Sequence, residues 1–500
     1  IRTLSNQLAH VLRGLQLGVG DRLALILPQR IETALGHIAA HKLGAVSLPL
    51  SILFGVNALR YRLQDSGASV LITDREHAKL VLSIRSELPA LKAILVVDQN
   101  EADGTATADS LNFWSELSDQ PVTLEPVMTK ADDPALLIYT SGTTGPPKGA
   151  LVAHRSLIGN LTGFEMSMNF FPWKDDVFYT PADWAWTGGL FDGLLPTWFF
   201  GRPIVGYEYR KFNAERMLRL LEKYQVTTGF IPPTALKMLR AVPDINKTYQ
   251  LKLRAVMSAG EMVGEELYHW AQQSLGVDIN EMYGQTEHNY MVGNCSAIMP
   301  PKPGSMGKAY PGHQINIMLP DGSFAETGEM GEFVAHRDDA VHFLGYWNNP
   351  DATAAKFTGD WFHTGDTGYR DEDNFLWFVG RTDDVITSAG YRIGPGEIED
   401  CVLQHPDVLQ VAAVGVPDPQ GVRGDIVKVF VVPKEGREGD DGFADEIQTL
   451  VRENLAAYEY PRAVEFLDEL PMTTTGKVRR IELRQRDIEA SREASREDQR

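Results

Sequence analysis

Short apolar runs alternate with longer amphipathic segments over the first 300 residues of this 500-residue chain. Most of the runs are rich in Val, Ile and Leu, which is typical of strands that are buried on both faces. The segments between them have the apolar spacing of helices that cover a sheet. This alternation predicts parallel α/β layers. The predicted strands are 22–27, 45–50, 69–73, 93–97, 135–140, 228–232 and 255–259.

The pattern changes after about residue 304. Strand-like runs are separated there by the turn dipeptides Asp321-Gly322 and Asn348-Asn349, which predicts hairpins and a small β-rich part at about 304–380. Beyond it, two helical segments and two strand runs predict a small α+β C-terminal domain at 383–500. The charged tail from about residue 485 is expected to be disordered. The predicted fold class is therefore α/β, with a large N-terminal domain at 1–382 that includes the β-rich part.

Composition and charge exclude several classes of protein. The 67 acidic and 47 basic residues leave a net charge of −20, which repels phosphate backbones and anionic lipid. We therefore expect no nucleic-acid partner, and no apolar stretch is long enough for stable membrane insertion. Two cysteines suit a reducing cytoplasm. Because the chain opens at Ile1 rather than Met, we expect its N-terminus to be incomplete, and an organelle matrix stays open as a location.

A loop rich in glycine and hydroxyl residues, at 140–149, follows the predicted strand 135–140. Glycines let backbone N–H groups approach an anion, hydroxyls donate to phosphate oxygens, and a lysine adds positive charge. The loop lacks the spacing of the common P-loop. It is nevertheless predicted to bind phosphate rather than to be a plain surface loop. Its contributing residues are Thr140, Ser141, Gly142, Thr143, Thr144, Gly145 and Lys148.

This loop, TSGTTGPPKG, resembles the signature of the adenylate-forming superfamily of acyl-CoA synthetases, luciferases and peptide-synthetase adenylation domains. Four further segments match that superfamily in order: MYGQTE at 282–287, FHTGD at 362–366, the stretch 380–399, and PMTTTGKVRR at 471–480. Within it, GYRIGPGEIE and TPADWAW are most similar to short- and medium-chain acyl-CoA synthetases. The resemblance implies that a carboxylate attacks the α-phosphate of ATP, and that coenzyme A then displaces AMP.

The resemblance also implies roles for single residues. Glu287 is expected to hold Mg²⁺, which prefers hard oxygen ligands, and Thr286 to donate to the α-phosphate. Lys477 is expected to reach the carboxylate and the α-phosphate during adenylation, with Lys148 as a further cation. Asp366 is expected to bind the ribose hydroxyls. The other residues that the resemblance places at the nucleotide are Gly260, Glu261, Tyr283 (stacked on adenine), Gly284, Gln285 and Arg381.

A mobile C-terminal domain is a further implication of the resemblance. Asp383 is the expected hinge, since hinges are a few residues that absorb large backbone changes. After adenylation the small domain would rotate, Lys477 would leave, and Gly390 and Arg392 would come to bind coenzyme A.

The acyl pocket is expected to be formed by Trp186, Thr187, Gly188, Ala259 and Gly284. In acetate-specific relatives the position of Gly284 carries a tryptophan that shortens the pocket. The glycine therefore predicts room for about four to eight carbons. His288-Asn289 replaces the Thr-Gly of many relatives, which leaves a polar or branched acid open.

We therefore predict an ATP-dependent acyl-CoA ligase for short- to medium-chain fatty acids, using ATP, Mg²⁺ and coenzyme A as a monomer or homodimer. The alternatives are an adenylation enzyme that loads a carrier protein, an acetate-specific acetyl-CoA synthetase, and a non-catalytic nucleotide-binding protein. His154, His288, His363 and Cys295 have no spacing typical of a zinc site, so we expect no zinc.

Overall fold

The computed structural model describes residues 1–99, 110–140, 146–209, 211–382, 384–388, 391–418, 425–455, 459–473 and 477–497. Its first sheet contains eight strands: β1 (Arg22–Ile26), β2 (Val46–Pro49), β3 (Val70–Thr73), β4 (Ala93–Val96), β5 (Ser110–Asn112), β6 (Pro134–Thr140), β7 (Lys148–Ala153) and β17 (Gly345–Tyr346). Their order is β17-β7-β6-β2-β1-β3-β4-β5. The central pairs are parallel, whereas β7 is antiparallel to β6 and to β17.

The second sheet contains β8 (Phe178–Tyr179), β9 (Ile204–Val205), β10 (Thr228–Phe230), β11 (Ala255–Ser258), β12 (Ile279–Tyr283), β13 (Val292–Gly293) and β14 (Lys308–Ala309). Their order is β14-β13-β12-β11-β10-β8-β9, and the five strands from β8 to β12 are parallel. All seven strands predicted from the apolar runs are confirmed in these two sheets.

Helices cover the two sheets because their apolar stripes need a partner surface. Leu8 and Leu35 pack on one face of the first sheet, and Leu59 and Val81 pack on the other. A π-helical turn occupies Leu190–Leu194. The helices are α1 (Arg2–Gly14), α2 (Ile31–Lys42), α3 (Val56–Ser66), α4 (Arg75–Ser83), α5 (Phe113–Ser118), α6 (Arg155–Ser167), α7 (Thr187–Gly189), α8 (Leu195–Phe199), α9 (Ala214–Lys223), α10 (Pro233–Arg240), α11 (Ile245–Thr248), α12 (Gly264–Ser274) and α13 (Pro350–Ala354).

An antiparallel sheet forms where the turn dipeptides predict hairpins. It contains β15 (Ile315–Met318), β16 (Gly331–His336), β18 (Phe357–Thr358), β19 (Trp361–Arg370) and β20 (Leu376–Arg381). Gly322 has φ +86°, a conformation that favours glycine, in the turn between β15 and β16. Asn349 instead caps α13 by accepting a hydrogen bond from Ala352 N.

The C-terminal part has its own core, in which α14 and α15 pack on an antiparallel strand pair through Ile398, Val402, Phe443 and Ile447. Its elements are β21 (Ile386–Ser388), β22 (Tyr391–Ile393), α14 (Pro395–Val402), β23 (Val408–Pro417), β24 (Asp425–Pro433), α15 (Asp441–Asn454), β25 (Ala463–Phe466) and α16 (Arg480–Glu497).

The tail differs from the expectation of disorder from about residue 485, because α16 continues to Glu497. Leu483 is 1% exposed and belongs to a core cluster with Val414 and Phe430, which anchors the start of the helix. Once a first turn is fixed, the Arg, Glu and Ala residues that follow propagate a helix readily. The prediction used only the absence of an apolar stripe and missed this anchored start.

Within the described residues, no helix combines the length and apolar character needed to cross a membrane.

Candidate active site

The candidate site lies at the carboxyl ends of β11 and β12, the edge at which parallel α/β sheets bind ligands. The chain leaves β11 through Ala259 and Gly260, and Gly260 has φ +95°, which favours glycine. It leaves β12 through Gly284 and runs on to Glu287. The predicted nucleotide-binding residue Gly260 and the MYGQTE motif therefore lie side by side, since β11 and β12 are neighbours.

Asp366 on β19 is the centre of a hydrogen-bond network at this edge. Tyr283 donates its hydroxyl to Asp366 Oδ2 at 2.6 Å, and Gln285 Nε2 donates to the same oxygen at 2.6 Å. Arg381 Nη1 lies 3.5 Å from Asp366 Oδ1. Asp366 is only 5% exposed, and a carboxylate has about four acceptor positions. Four residues predicted to bind the nucleotide thus meet at one carboxylate with acceptor capacity left for ribose hydroxyls.

The Tyr283 hydroxyl acts as a donor throughout the ordinary pH range. Burial and the neighbouring Asp366 carboxylate hold the pKa of Tyr283 well above its usual value. The sequence motif predicts a stacking role for its ring, and the structure adds a hydrogen bond that orients the ring and Asp366 together.

Two residues that the sequence analysis missed hold the part of β19 that directly precedes Asp366. Gly365 N donates to Glu332 Oε1 at 2.8 Å, and His363 Nδ1 lies 2.9 Å from Glu332 Oε2. Lys356 Nζ donates to the His363 carbonyl at 3.0 Å. Burial lowers the pKa of Lys356, while the carboxylates of Glu287, Asp366 and Glu332 oppose that shift. Neither Glu332 nor Lys356 belongs to a recognisable motif.

Glu287 is held by another residue that the sequence analysis missed. Tyr346, on β17, donates its hydroxyl to Glu287 Oε1 at 2.7 Å. Lys148 Nζ lies 5.3 Å from the centre of the same tyrosine ring, and Thr286 Oγ1 lies 3.2 Å from Thr187 Oγ1. Glu287 is 9% exposed, and its Oε2 accepts no hydrogen bond from the residues the structure describes. The second oxygen of this carboxylate is a hard ligand of the kind that suits Mg²⁺.

His288, immediately after Glu287, belongs to a buried polar cluster. His288 Nε2 and His313 Nδ1 lie 3.1 and 2.7 Å from Asp339 Oδ2, and His288 Nδ1 lies 3.1 Å from His342 Nδ1. These contacts fix the chain that follows Glu287 to the β-rich part.

Lys477 of the C-terminal part reaches the same edge. Its Cε lies 3.9 Å from the position that a Cβ would take at Gly260. Three residues further on, Arg480 donates from Nη2 to both oxygens of Glu399, at 2.7 and 2.8 Å. Arg480 Nη1 also lies 3.8 Å from Asp384 Oδ2. The segment that carries Lys477 is therefore tied to α14 and to the chain that precedes β21.

Several predicted residues are only partly described. Thr140 ends β6 and donates its hydroxyl to the Lys148 carbonyl at 3.3 Å, and Glu261 accepts from Thr234 Oγ1 at 3.2 Å. Arg392 lies in β22. The remaining predicted residues, Ser141–Gly145, Asp383 and Gly390, lie outside the described residues.

Two glycines do not leave the open volume that was expected of them. A Cβ at Gly284 would lie 2.7 Å from Tyr290 N and 3.0 Å from Asn289 Oδ1. A Cβ at Gly188 would lie 2.6 Å from the ring of Phe230. The absence of a side chain at Gly284 therefore does not itself provide room for about four to eight carbons, because the Tyr290 backbone and the Asn289 side chain already occupy that space. Glycine is needed at both positions for close packing.

Two other residues predicted to form the acyl pocket, Ala259 and Trp186, pack against aromatic side chains. Ala259 belongs to an aromatic cluster with Phe230, Met257 and Tyr290. Trp186 packs edge-on against Phe54, with ring centres 5.8 Å apart.

A family model of AMP-binding enzymes matches residues 1–347, and a model of the AMP-binding enzyme C-terminal domain matches residues 397–477. The chain is 34% identical to the mitochondrial acyl-coenzyme A synthetase ACSM3 of Mus musculus over 495 residues, covering 97% of this chain and 83% of the relative. It is 32% identical to the uncharacterised acyl-CoA ligase YtcI of Bacillus subtilis (strain 168), over 97% of this chain and 89% of that protein.

A similar solved structure is the anthranilate CoA ligase AuaEII in complex with anthranoyl-AMP. It superposes with a TM-score of 0.88 at 30% identity, covering 97% of this chain and 90% of that one.

Proposed function

Because the chain belongs to the family of AMP-binding enzymes, we propose that it is an ATP-dependent acyl-CoA ligase. The enzyme activates a short- to medium-chain carboxylic acid as an acyl-adenylate, with release of pyrophosphate. It then transfers the acyl group to the thiol of coenzyme A, with release of AMP. The approach of Lys477 to Gly260 carries the proposal, because it brings a cation to the edge where Tyr283 and Asp366 meet.

Both half-reactions develop negative charge on phosphate oxygens, so the chain must supply positioned cations and donors. Lys477 neutralises charge between the acid carboxylate and the α-phosphate, and Thr286 donates to the same phosphate. Lys148 and the glycine-rich loop hold the other phosphates. Asp366 accepts the ribose hydroxyls beside Arg381. The hydrogen bond from Tyr283 to Asp366 supports this assignment because it orients the ring for stacking on adenine.

Glu287 would hold Mg²⁺ through the carboxylate oxygen that Tyr346 leaves free. When bound, the ion supplies positive charge that neutralises the phosphates. The oxygen donors at this point support Mg²⁺ over softer metals.

The second half-reaction needs a different arrangement of the C-terminal domain. Asp383 is the proposed hinge, and Gly390 and Arg392 are the proposed contacts with coenzyme A. Two free, buried cysteines suit a reducing compartment, which we propose to be the cytoplasm or an organelle matrix.

The test is release of pyrophosphate and AMP from ATP with a series of C2–C10 acids, with and without coenzyme A. A ligase releases AMP and forms a thioester only when coenzyme A is present. Acyl-adenylate that accumulates without reacting with coenzyme A would instead indicate a carrier-protein acceptor. No acid-dependent pyrophosphate release with any acid would contradict the proposal.

A further inference from the structure

A buried carboxylate lies beside the acyl segment. Asp192 occupies the middle of the π-helical turn Leu190–Leu194, which directly follows Thr187, Gly188 and Gly189. Asp192 is only 3% exposed. Single π-helical turns occur frequently at functional sites, because they re-aim side chains out of a regular helix.

Asn289 is the partner of this carboxylate. Its Nδ2 donates to Asp192 Oδ1 at 2.5 Å, and both residues are buried. The other amide atom, Oδ1, lies 3.0 Å from the position of a Cβ at Gly284. The pair therefore joins the π-helical turn to the loop that carries Glu287, at the junction of the acyl segment and the nucleotide site.

One oxygen of Asp192 is left without a partner. In the part of the chain that the structure describes, Oδ2 accepts no hydrogen bond, and no Lys, Arg or His forms an ion pair with the carboxylate. Burial raises the pKa of Asp192 to about 7, against the effect of the Asn289 amide. Buried carboxylates are rare unless they are paired, because an unsatisfied acceptor costs free energy of folding.

Two tyrosines that interact electrostatically with Asp192, Tyr290 and Tyr310, have hydroxyl groups that are engaged elsewhere. Tyr290 directs its hydroxyl to Met257 Sδ at 3.4 Å, and Tyr310 shares a hydrogen bond of 2.5 Å with Ser167. Neither hydroxyl satisfies Asp192. Tyr290 also has φ +48°, an uncommon conformation for a tyrosine, and strain of this kind clusters at functional sites.

We propose that Asp192 and Asn289 determine the specificity of the enzyme, and that the preferred acid carries a hydroxyl or ammonium group on a short chain. This inference rests on the proposed ligase function. The donor on the acid supplies the hydrogen bond that Oδ2 lacks, whereas a plain fatty acid buries the carboxylate unpaired.

The experiment measures kcat/KM for coenzyme A-dependent AMP formation with butyrate, 3-hydroxybutyrate, 4-hydroxybutyrate and 4-aminobutyrate. We expect the wild type to prefer at least one of the three donor-bearing acids over butyrate by about tenfold or more, since sites built around a hydrogen bond reject analogues that lack it. Comparison of the two hydroxybutyrates with 4-aminobutyrate shows whether the preferred donor is a hydroxyl or an ammonium group. Asp192→Asn keeps the shape but turns an amide donor toward the acid, so the preference should fall at least about tenfold.

The matched control is Asp176→Asn, another buried aspartate, which pairs with Arg254 at 2.5 Å. It should lower the Tm and keep the acid preference. If Asp192→Asn does not fold, the kcat/KM of the donor-bearing acid relative to butyrate is measured in Asn289→Ser instead. We expect this ratio to fall in that variant as well. Equal kcat/KM for butyrate and every donor-bearing acid, or a preference unchanged in the folded variant, would overturn the inference while AMP formation upholds the ligase function. No AMP with any acid would instead contradict the ligase function.

Discussion

Glu287 depends on one hydroxyl for its orientation. Tyr346 donates to its Oε1 at 2.7 Å, and this leaves Oε2 for the proposed ion. Tyr346 acts through Glu287 and is therefore a positioning residue. It lies 59 residues from its partner, so no local motif in the sequence could have pointed to it.

Removal of this hydroxyl should weaken the use of Mg²⁺. In Tyr346→Phe we expect the Mg²⁺ concentration for half-maximal adenylation to rise about tenfold or more, since a hydrogen bond to a charged group is worth about 1.5–3 kcal/mol and each 1.4 kcal/mol is about tenfold. The measurement is pyrophosphate release against Mg²⁺ concentration. Tyr268→Phe is the control, because Tyr268 also donates to a carboxylate, Asp278, at 3.0 Å. A Mg²⁺ dependence equal to that of the control would count against the role of Tyr346.

The motif residues of the site could be predicted from the sequence, whereas the residues that hold them in place could not. Tyr283, Gln285, Asp366 and Arg381 belong to motifs of the superfamily, and the structure brings them together at Asp366. Their supporting contacts depend on how separate elements pack, which residue spacing does not encode. Gly284 shows the limit most clearly, since a missing side chain was interpreted as open volume although Tyr290 N fills that space.

At the scale of elements, α16 and α14 are joined by a bidentate ion pair. Arg480, the first residue of α16, donates to both oxygens of Glu399 on α14. The same carboxylate accepts from Ala413 N on β23 at 2.8 Å. Because Lys477 lies three residues before Arg480, this pair fixes the segment from which Lys477 reaches Gly260.

Loss of the pair should slow adenylation selectively. In Arg480→Ala we expect the rate of acyl-adenylate formation to fall about tenfold or more, because one partner of a well-ordered charge pair is removed. Thioester formation from supplied acyl-adenylate should fall much less. Arg486→Ala is the control on the same helix, since Arg486 pairs with Glu465 at 3.0 Å near the surface. The rates of both steps are measured under single-turnover conditions. An equal fall in both rates would argue against a role of Arg480 in positioning Lys477.

The element boundaries followed from local patterns. Apolar runs predicted the strands β1–β4, β6, β10 and β11, and turn dipeptides predicted the β-rich part, because turn chemistry and strand periodicity are local properties. The C-terminal half of α16 was missed because its helical state depends on the anchoring of Leu483 in a distant core.

At the scale of the whole molecule, the buried acid Glu281 and the half-buried acid Asp400 mark the contact between the large domain and the C-terminal part. Glu281 lies on β12, and Asp400 on α14 has Oδ2 2.8 Å from the position of a Cβ at Gly264. Burial raises the pKa of Glu281 to about 8 and that of Asp400 to about 7. The other charged groups that act on Asp400 are Lys237 on α10, Glu266 on α12, and Glu397 and Glu399 on α14.

This contact should weaken as the pH rises. An acid with a raised pKa is neutral in the packed arrangement, so the stabilisation is complete below its ordinary pKa and is lost as the pH rises through 7 to 8. We expect the rate of adenylate formation to fall between about pH 6 and pH 9, and to fall less in Asp400→Asn, which stays neutral. Glu265→Gln is the control, because it removes an exposed carboxylate of the same helix, α12, that is not among the charged groups acting on Asp400. Identical pH profiles for the wild type and Asp400→Asn would show that ionisation of Asp400 does not cause the fall in rate.

The arrangement of the two domains could not be predicted from the sequence. The resemblance implied a mobile small domain, but which of its faces meets the large domain depends on contacts such as that of Gly264 with Asp400. In the structure, Lys477 lies beside Gly260, which is the arrangement that we propose for the adenylation step.

The most direct test of the account compares both half-reactions in Lys477→Ala. We predict that acyl-adenylate formation falls about a hundredfold or more, the effect of removing one group that stabilises charge in the transition state. Thioester formation from supplied acyl-adenylate and coenzyme A should stay close to that of the wild type, because in the proposed mechanism Lys477 leaves the site before that step. Lys434→Ala, which removes a lysine bonded to the Pro406 carbonyl in the same domain, should match the wild type in both steps. Equal loss of both half-reactions in Lys477→Ala, or full retention of adenylation, would contradict the account.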